Sequence, residues 1–153
     1  MKREIRKLWQ SFKAAFIGFN YCVKNERNYR IHLAAVFYVL VFAALSEMSA
    51  LEIAPLFLCF ALVLTSEMFN TSIEAAIDLK VDAYHPLAKV AKDVAAGAVL
   101  ISSVFSAAVG AAVFWQYIPL MWERLISNPA VLICIGATLP IWLLFISGGH
   151  KNR

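Results

Sequence analysis

Glycine-built chemistry is missing from this chain. Its six glycines form neither the GxxxxGK[ST] loop of a P-loop nor the GxGxxG turn of a dinucleotide fold. The backbone cradles with which those folds hold phosphates are therefore excluded. HExxH and GxSxG are absent as well, which removes the zinc-protease helix and the nucleophile elbow. Cys22, Cys59 and Cys134 stand singly and far apart; without the close spacing of a metal or redox pair they read as apolar filler. His32, His85 and His150 are equally scattered. The N-terminus is amphipathic rather than a short apolar core, so no cleavable signal is expected. Charge is sparse as well, at 16% of residues against 61% hydrophobic.

What is present is a membrane composition. The 153 residues suit one domain and carry four long apolar segments, predicted as helical spans over about 31–48, 53–79, 87–115 and 130–147. Each crosses, or nearly crosses, a hydrocarbon core of about 30 Å at 1.5 Å per residue. Eight of the fourteen Lys and Arg precede the first segment: Lys2, Arg3, Arg6, Lys7, Lys13, Lys24, Arg27 and Arg30. Lys80, Lys89 and Lys92 fall between the second and third, Lys151 and Arg153 close the chain, and Arg124 alone lies on the opposite side. Thirteen basic residues against one place both termini in the cytoplasm, as an even number of spans requires. The net charge of +4 is explained by the anionic inner leaflet, and nucleic acid is not expected as a partner.

The second segment organises the rest. Glu67, Asn70, Glu74 and Asp78 follow one another at spacings of three, four and four. At about 100° per residue they share a sector of roughly 80°. Carboxylates at the end of a membrane helix are costly without a cationic neighbour, so the stripe is a functional site by default. Glu67 falls near the inner headgroups, and Glu74 and Asp78 continue into the cytoplasm. Upstream, residues 3–19 read as an amphipathic surface helix. Ile5, Leu8, Trp9, Phe12 and Phe16 occupy one face and Arg3, Arg6, Lys7 and Lys13 the other, as in a helix lying in the membrane interface. A polar patch over 24–32 leads into the first span, on the stripe's side, where Glu26 is placed to meet Glu74. Ser49 and Glu52 have capping-box spacing for the second span, with Pro55 expected in its first turn. The third span repeats small residues at Ala98, Ser102, Ser106 and Gly110, a pattern for close helix packing. Trp115, Tyr117 and Trp122 look like an outer aromatic belt. The fourth span holds no charged residue and is assigned structure alone.

Carboxylates, an amide and basic residues at one membrane face suit Mg²⁺, which takes oxygen ligands and bridges nucleotide phosphates. Phosphoryl transfer needs little beyond a positioned hydroxyl, a base, a metal and cations for the phosphate charge. The residues alone permit a lipid kinase but rank it behind transport and assembly roles. A non-enzymatic membrane protein that binds cations or a partner's basic segment, and a lipid phosphatase, also remain open.

The pattern Glu67-x-x-Asn70-Thr71-x-Ile73-Glu74-x-x-x-Asp78, then His85, then Ala91-Lys92-Asp93-x-Ala95-x-x-Ala98-Val99 resembles the signature of the small prokaryotic diacylglycerol kinase/undecaprenol kinase family. Asn25, Glu26 and Arg30 match it upstream, and the resemblance covers roughly residues 10–115. It implies an all-α integral membrane bundle in the bacterial cytoplasmic membrane: a homotrimer with sites shared between subunits, using MgATP to phosphorylate a lipid alcohol. By the resemblance Glu67 is the catalytic base, which also contacts the lipid, and Asn70 orients the acceptor or the base. Glu26 and Glu74 hold Mg²⁺ beside the nucleotide. Lys92 and Asp93 contact ATP, with His85 close by, and the surface helix sends a basic residue, Lys7 or Arg6, to the phosphates. Two departures are visible. Family members commonly stop after three spans, so residues 116–153 form an extra segment beyond a kinase domain over 1–115. The Arg30-Ile31-His32 form is similar to the branch that prefers undecaprenol, where the diacylglycerol branch carries an acidic residue in place of His32.

Overall fold

The computed structural model describes residues 2–79 and 84–148. Lys80, His150, Lys151 and Arg153 lie outside the described residues. Six α-helices follow one another: α1 (Lys2–Asn25), α2 (Arg27–Leu45), α3 (Ala50–Asp78), α4 (Pro86–Phe114), α5 (Ile118–Ser127) and α6 (Pro129–Ser147), with one 3₁₀ turn, Trp115–Tyr117, between α4 and α5. Among the described residues four helical segments are long and apolar enough to cross a membrane: α2, α3, α4 running on through α5, and α6. The chain is therefore an all-helical membrane protein with the expected surface helix and an additional final span.

Helix ends follow local chemistry. The capping box at α3 forms as its spacing requires: the Ser49 N–H donates to Glu52 Oε2 at 2.9 Å and the Ser49 hydroxyl at 2.6 Å. Pro55 lies one turn deeper than expected, in the second turn of α3. It leaves the Leu51 carbonyl without its helical N–H, which a membrane helix tolerates near its polar end. α1 runs to Asn25, well past the end of its apolar stripe at Phe19. A single extended residue, Glu26 (φ −103°, ψ 113°), then separates it from α2. Pro86 opens α4 at the position where a missing N–H costs nothing.

α3 and α4 form the most closely packed pair, and α4's small side chains permit the approach: the Ser106 hydroxyl lies 3.5 Å from the Cys59 carbonyl of α3. The apolar core sits towards the other end of the bundle, where Ala43, Met48 and Leu56 are buried beneath Val113, Phe114 and Tyr117. α6 packs on α2, with the Tyr38 and Thr138 hydroxyls 2.9 Å apart and Trp142 against Phe37. Arg124 of α5 bonds the Leu45 carbonyl and pairs with Glu47 at 2.7 Å. The single basic residue assigned to the outer side thus meets the α2–α3 turn, which that topology also places outside.

Candidate functional site

The polar stripe of α3 is in place, and each member meets a different neighbour. Deepest is Glu67, only 2% exposed. Its Oε1 lies 3.4 Å from His32 Nε2 of α2 and has no hydrogen-bond partner. One turn on, Thr71 is buried with its hydroxyl on the Glu67 carbonyl at 3.0 Å. Asn70 donates from Nδ2 to Glu74 Oε1 at 2.9 Å, the i,i+4 pairing that its spacing allows. Asn70 Oδ1 is buried and unpartnered. At the helix end Asp78 is bonded by Lys92 of α4, which fastens the two helices across their connection.

Around that ion pair lies an open hollow of about 260 Å³. Asp78, Tyr84, His85, Lys89, Lys92 and Asp93 line it. His85 is the extended N-cap of α4, and Lys89 bonds Asp93 at 2.6 Å one turn further along. A second cavity, about 180 Å³ and almost wholly apolar, opens between α2, α3 and α4. Val36, Val39, Phe60 and Val63 form its walls, and His32, Ser103 and Ser106 are its polar members. A charged hollow and an apolar cleft thus lie along one helix, with Glu67, Asn70 and Glu74 between them.

The α1–α2 corner approaches the same place. Cys22, near the end of α1, is 4% exposed. Burial pushes its thiol up; a hydrogen bond with the Thr71 hydroxyl opposes this, and the charges of Glu26 and Glu67 push it further up. The Cys22–Thr71 contact brings the end of α1 against α3 one turn from Glu67. Arg30, 4% exposed, fixes that corner. Its guanidinium donates to the Val23 and Lys24 carbonyls of α1 at 3.1 and 3.0 Å and, twice, to the Ile146 carbonyl of α6 at 3.3 and 3.0 Å.

Of the residues expected from sequence, the structure brings Asn70 and Glu74 together, gathers His85, Lys92 and Asp93 at one hollow, and sets Glu67 on the same helix face. Lys7 is apart from them: it is exposed and pairs with Glu4 at 3.1 Å, roughly 27 Å of helix before Asn25 at 1.5 Å per residue. From sequence, Tyr84 was passed over, Lys89 and Thr71 were noted without a role in the site, and His32 entered only as a mark of the family branch. His32 did carry a signal, as the one ionisable residue interrupting the apolar run of the first span.

Fold and site together define a helical membrane protein with a charged hollow at one end of the bundle and an apolar cleft between its spans. Residues 13–114 match the model of the prokaryotic diacylglycerol kinase family, and the chain belongs to that family of membrane lipid kinases. It is 39% identical over 113 residues to the undecaprenol kinase of Bacillus subtilis, covering 74% of this chain and 92% of that protein. It is 40% identical over 118 residues to a diacylglycerol kinase of Synechocystis, covering 71% and 67% respectively. With the diacylglycerol kinase of Escherichia coli K12 it shares 29% over 109 residues, 71% of this chain and 84% of that one. The match ends at residue 114, so α5 and α6 lie beyond it.

Proposed function

We propose that the chain transfers the γ-phosphoryl group of MgATP to the hydroxyl of a membrane lipid alcohol, undecaprenol in preference to diacylglycerol. The observation that carries this reading is the buried carboxylate of Glu67, with an unpartnered oxygen, between the apolar cleft and the lysine-lined hollow. A lipid chain fits the cleft, a triphosphate the hollow, and the hydroxyl meets the γ-phosphorus where the two approach. Lys92 offers charge to the phosphates, and Asp93 with His85 holds the nucleotide. Glu67 is the basic carboxylate of the site, and Asn70 orients it and the acceptor. Lys7 reaches the phosphates from the surface helix of a neighbouring copy in a homotrimer.

Glu26 and Glu74 are the carboxylates for Mg²⁺. Among the described residues no group of three or more His, Cys, Asp or Glu forms a protein-only cage. That suits an ion which keeps several waters and takes one or two carboxylates plus phosphate oxygens. The buried, unpartnered Asn70 Oδ1 beside Glu74 is an oxygen of the required hard type. Bound there, Mg²⁺ supplies charge to the β- and γ-phosphate oxygens. Undecaprenol is favoured by the Arg30-Ile31-His32 form, by the extent of the match to the Bacillus enzyme, and by a cleft with few polar atoms for ester groups. The bacterial cytoplasmic membrane, with both termini inside, follows from the distribution of Lys and Arg.

The test is transfer of labelled phosphate from MgATP by purified protein in mixed micelles, with undecaprenol and diacylglycerol offered separately. Transfer favouring undecaprenol is expected, with Glu67→Gln and Glu74→Gln each losing about 10²-fold or more. Folded protein inactive on both lipids would replace the kinase reading with a binding role.

A further inference from the structure

The α1–α2 corner that carries Glu26 is braced by a helix outside the family match. Glu26 is the single extended residue between two helices (φ −103°, ψ 113°), so the angle between α1 and α2 sets where its carboxylate points. Its backbone is held on both sides. The Glu26 N–H donates to the Cys22 carbonyl at 2.9 Å, and its carbonyl accepts from the Arg30 N–H at 3.3 Å. The Arg30 guanidinium closes the angle through the Val23 and Lys24 carbonyls, and its other edge is taken by Ile146 of α6. Resting on the reading of Glu26 as a Mg²⁺ carboxylate, we infer that α6 braces the metal site: Ile146 holds Arg30, and Arg30 sets the position of Glu26.

The last four carbonyls of an α-helix have no helical N–H. α1 ends without the left-handed residue that often closes them: among the described residues Glu47 alone has a positive φ. Arg30 takes that role for Val23 and Lys24, and the Glu26 N–H serves Cys22. The Ile146 carbonyl lies in the last turn of α6 and is equally without a helical donor. One buried cation thus sits at the carboxyl ends of two helices, where their dipoles favour positive charge. Without Ile146 the Nε–H and an Nη2–H lose their acceptor. Idle buried donors are costly, so the guanidinium turns to water and its grip on Val23 and Lys24 goes with it. The last turn of α1 then loosens beside Glu26. Phe19 and Tyr29, edge to face at 5.8 Å, still pack α1 on α2, so the corner widens without coming apart. The loss falls on metal binding and not on the transfer step, whose basic carboxylate lies on α3.

The experiment reads binding of Mn²⁺, a paramagnetic stand-in for Mg²⁺ with the same taste for oxygen ligands. Electron paramagnetic resonance follows it with a methylene-bridged ATP analogue present, beside the Mg²⁺ dependence of lipid phosphorylation in mixed micelles. The full chain is compared with Arg30→Lys, Glu26→Gln, Arg30→Lys/Glu26→Gln, Thr138→Val, and chains ending at Trp142 and at Tyr117, each checked for a cooperative melt. Both shortened chains lack Ile146, and the longer one keeps the Tyr38 and Phe37 contacts of α6. Thr138→Val loosens α6 on α2 and leaves the brace alone. We expect Arg30→Lys and the shortened chains to weaken Mn²⁺ binding and raise the half-saturating Mg²⁺ concentration about 10-fold. Their kcat at saturating Mg²⁺ should stay within about threefold of wild type. Thr138→Val should bind the metal as wild type does, whatever its melting midpoint. Because Arg30 acts through Glu26, Arg30→Lys should add nothing in the Glu26→Gln background. Three outcomes would overturn the proposal: wild-type Mn²⁺ binding in a folded Arg30→Lys or shortened chain, a loss in Thr138→Val as large as theirs, or additive losses in the double variant. Wild-type Mn²⁺ binding by Glu26→Gln would instead remove the underlying reading of Glu26 as a metal carboxylate.

Discussion

Arg30 is the residue that joins the α1–α2 corner to the end of α6. Its guanidinium ties the last carbonyls of α1 to α2 and reaches the Ile146 carbonyl of a helix 116 residues away. Charged donors buried on carbonyls contribute more than neutral ones, and removing them leaves acceptors unpaired. Arg30→Ala should therefore cost about 1–3 kcal/mol, read as a lower denaturation midpoint in micelles. Arg30→Lys should recover only part, because an ammonium cannot span three carbonyls as the planar fork does. Unchanged stability in both would mean that the clasp carries no net energy. At this scale the sequence was legible wherever partners share a helix: the Asn70–Glu74 bond follows from an i,i+4 spacing. It was mute about the partners of Arg30, which entered as a basic flank residue and a match to the family pattern, with no sign of the carbonyls it ties together.

Among the elements, α6 is the one whose purpose differs from that of the others. It carries no Asp, Glu, Lys, Arg or His and meets α2 through Tyr38–Thr138, Phe37–Trp142 and the Arg30 clasp. Every residue proposed for the chemistry lies before the end of α4. A chain ending at Tyr117 should retain lipid phosphorylation within roughly tenfold and melt at lower temperature, since it loses these contacts but no proposed ligand. A folded, ATP-binding truncation without transfer activity would make α6 part of the site. The elements themselves were readable in advance because their signals are local: apolar runs of spanning length and the Ser49–Glu52 box. α5 escaped notice because its ten residues follow directly on a span and read as part of the outer belt.

For the whole molecule the open face of α4 and the position of Lys7 point the same way. Val104, Phe105 and Leu100 are exposed to lipid or to a neighbour, and Lys7 lies far along α1 from its own chain's hollow. In the proposed homotrimer a neighbour's Lys7 supplies the phosphate contact. The active species should then contain three chains of 17.0 kDa, measured by sedimentation in density-matched detergent. Co-assembly of Lys7→Ala with Glu67→Gln chains should also regain activity that neither has alone. Full activity in a monomer would remove both the trimer and this role of Lys7.

The sequence by itself determined that this is an all-helical membrane protein with four spans, which helix bears the acidic stripe, and where that helix begins. Hydropathy, helical period and capping act over a few residues and need no knowledge of what lies across the bundle. Only the tertiary structure decided that His32 approaches Glu67, that Lys92 reaches Asp78, and that Arg30 closes on Ile146. The small-residue repeat on α4 announced a close approach, but which helix it meets and which side chains that contact brings together depend on packing across the bundle, which no local pattern encodes.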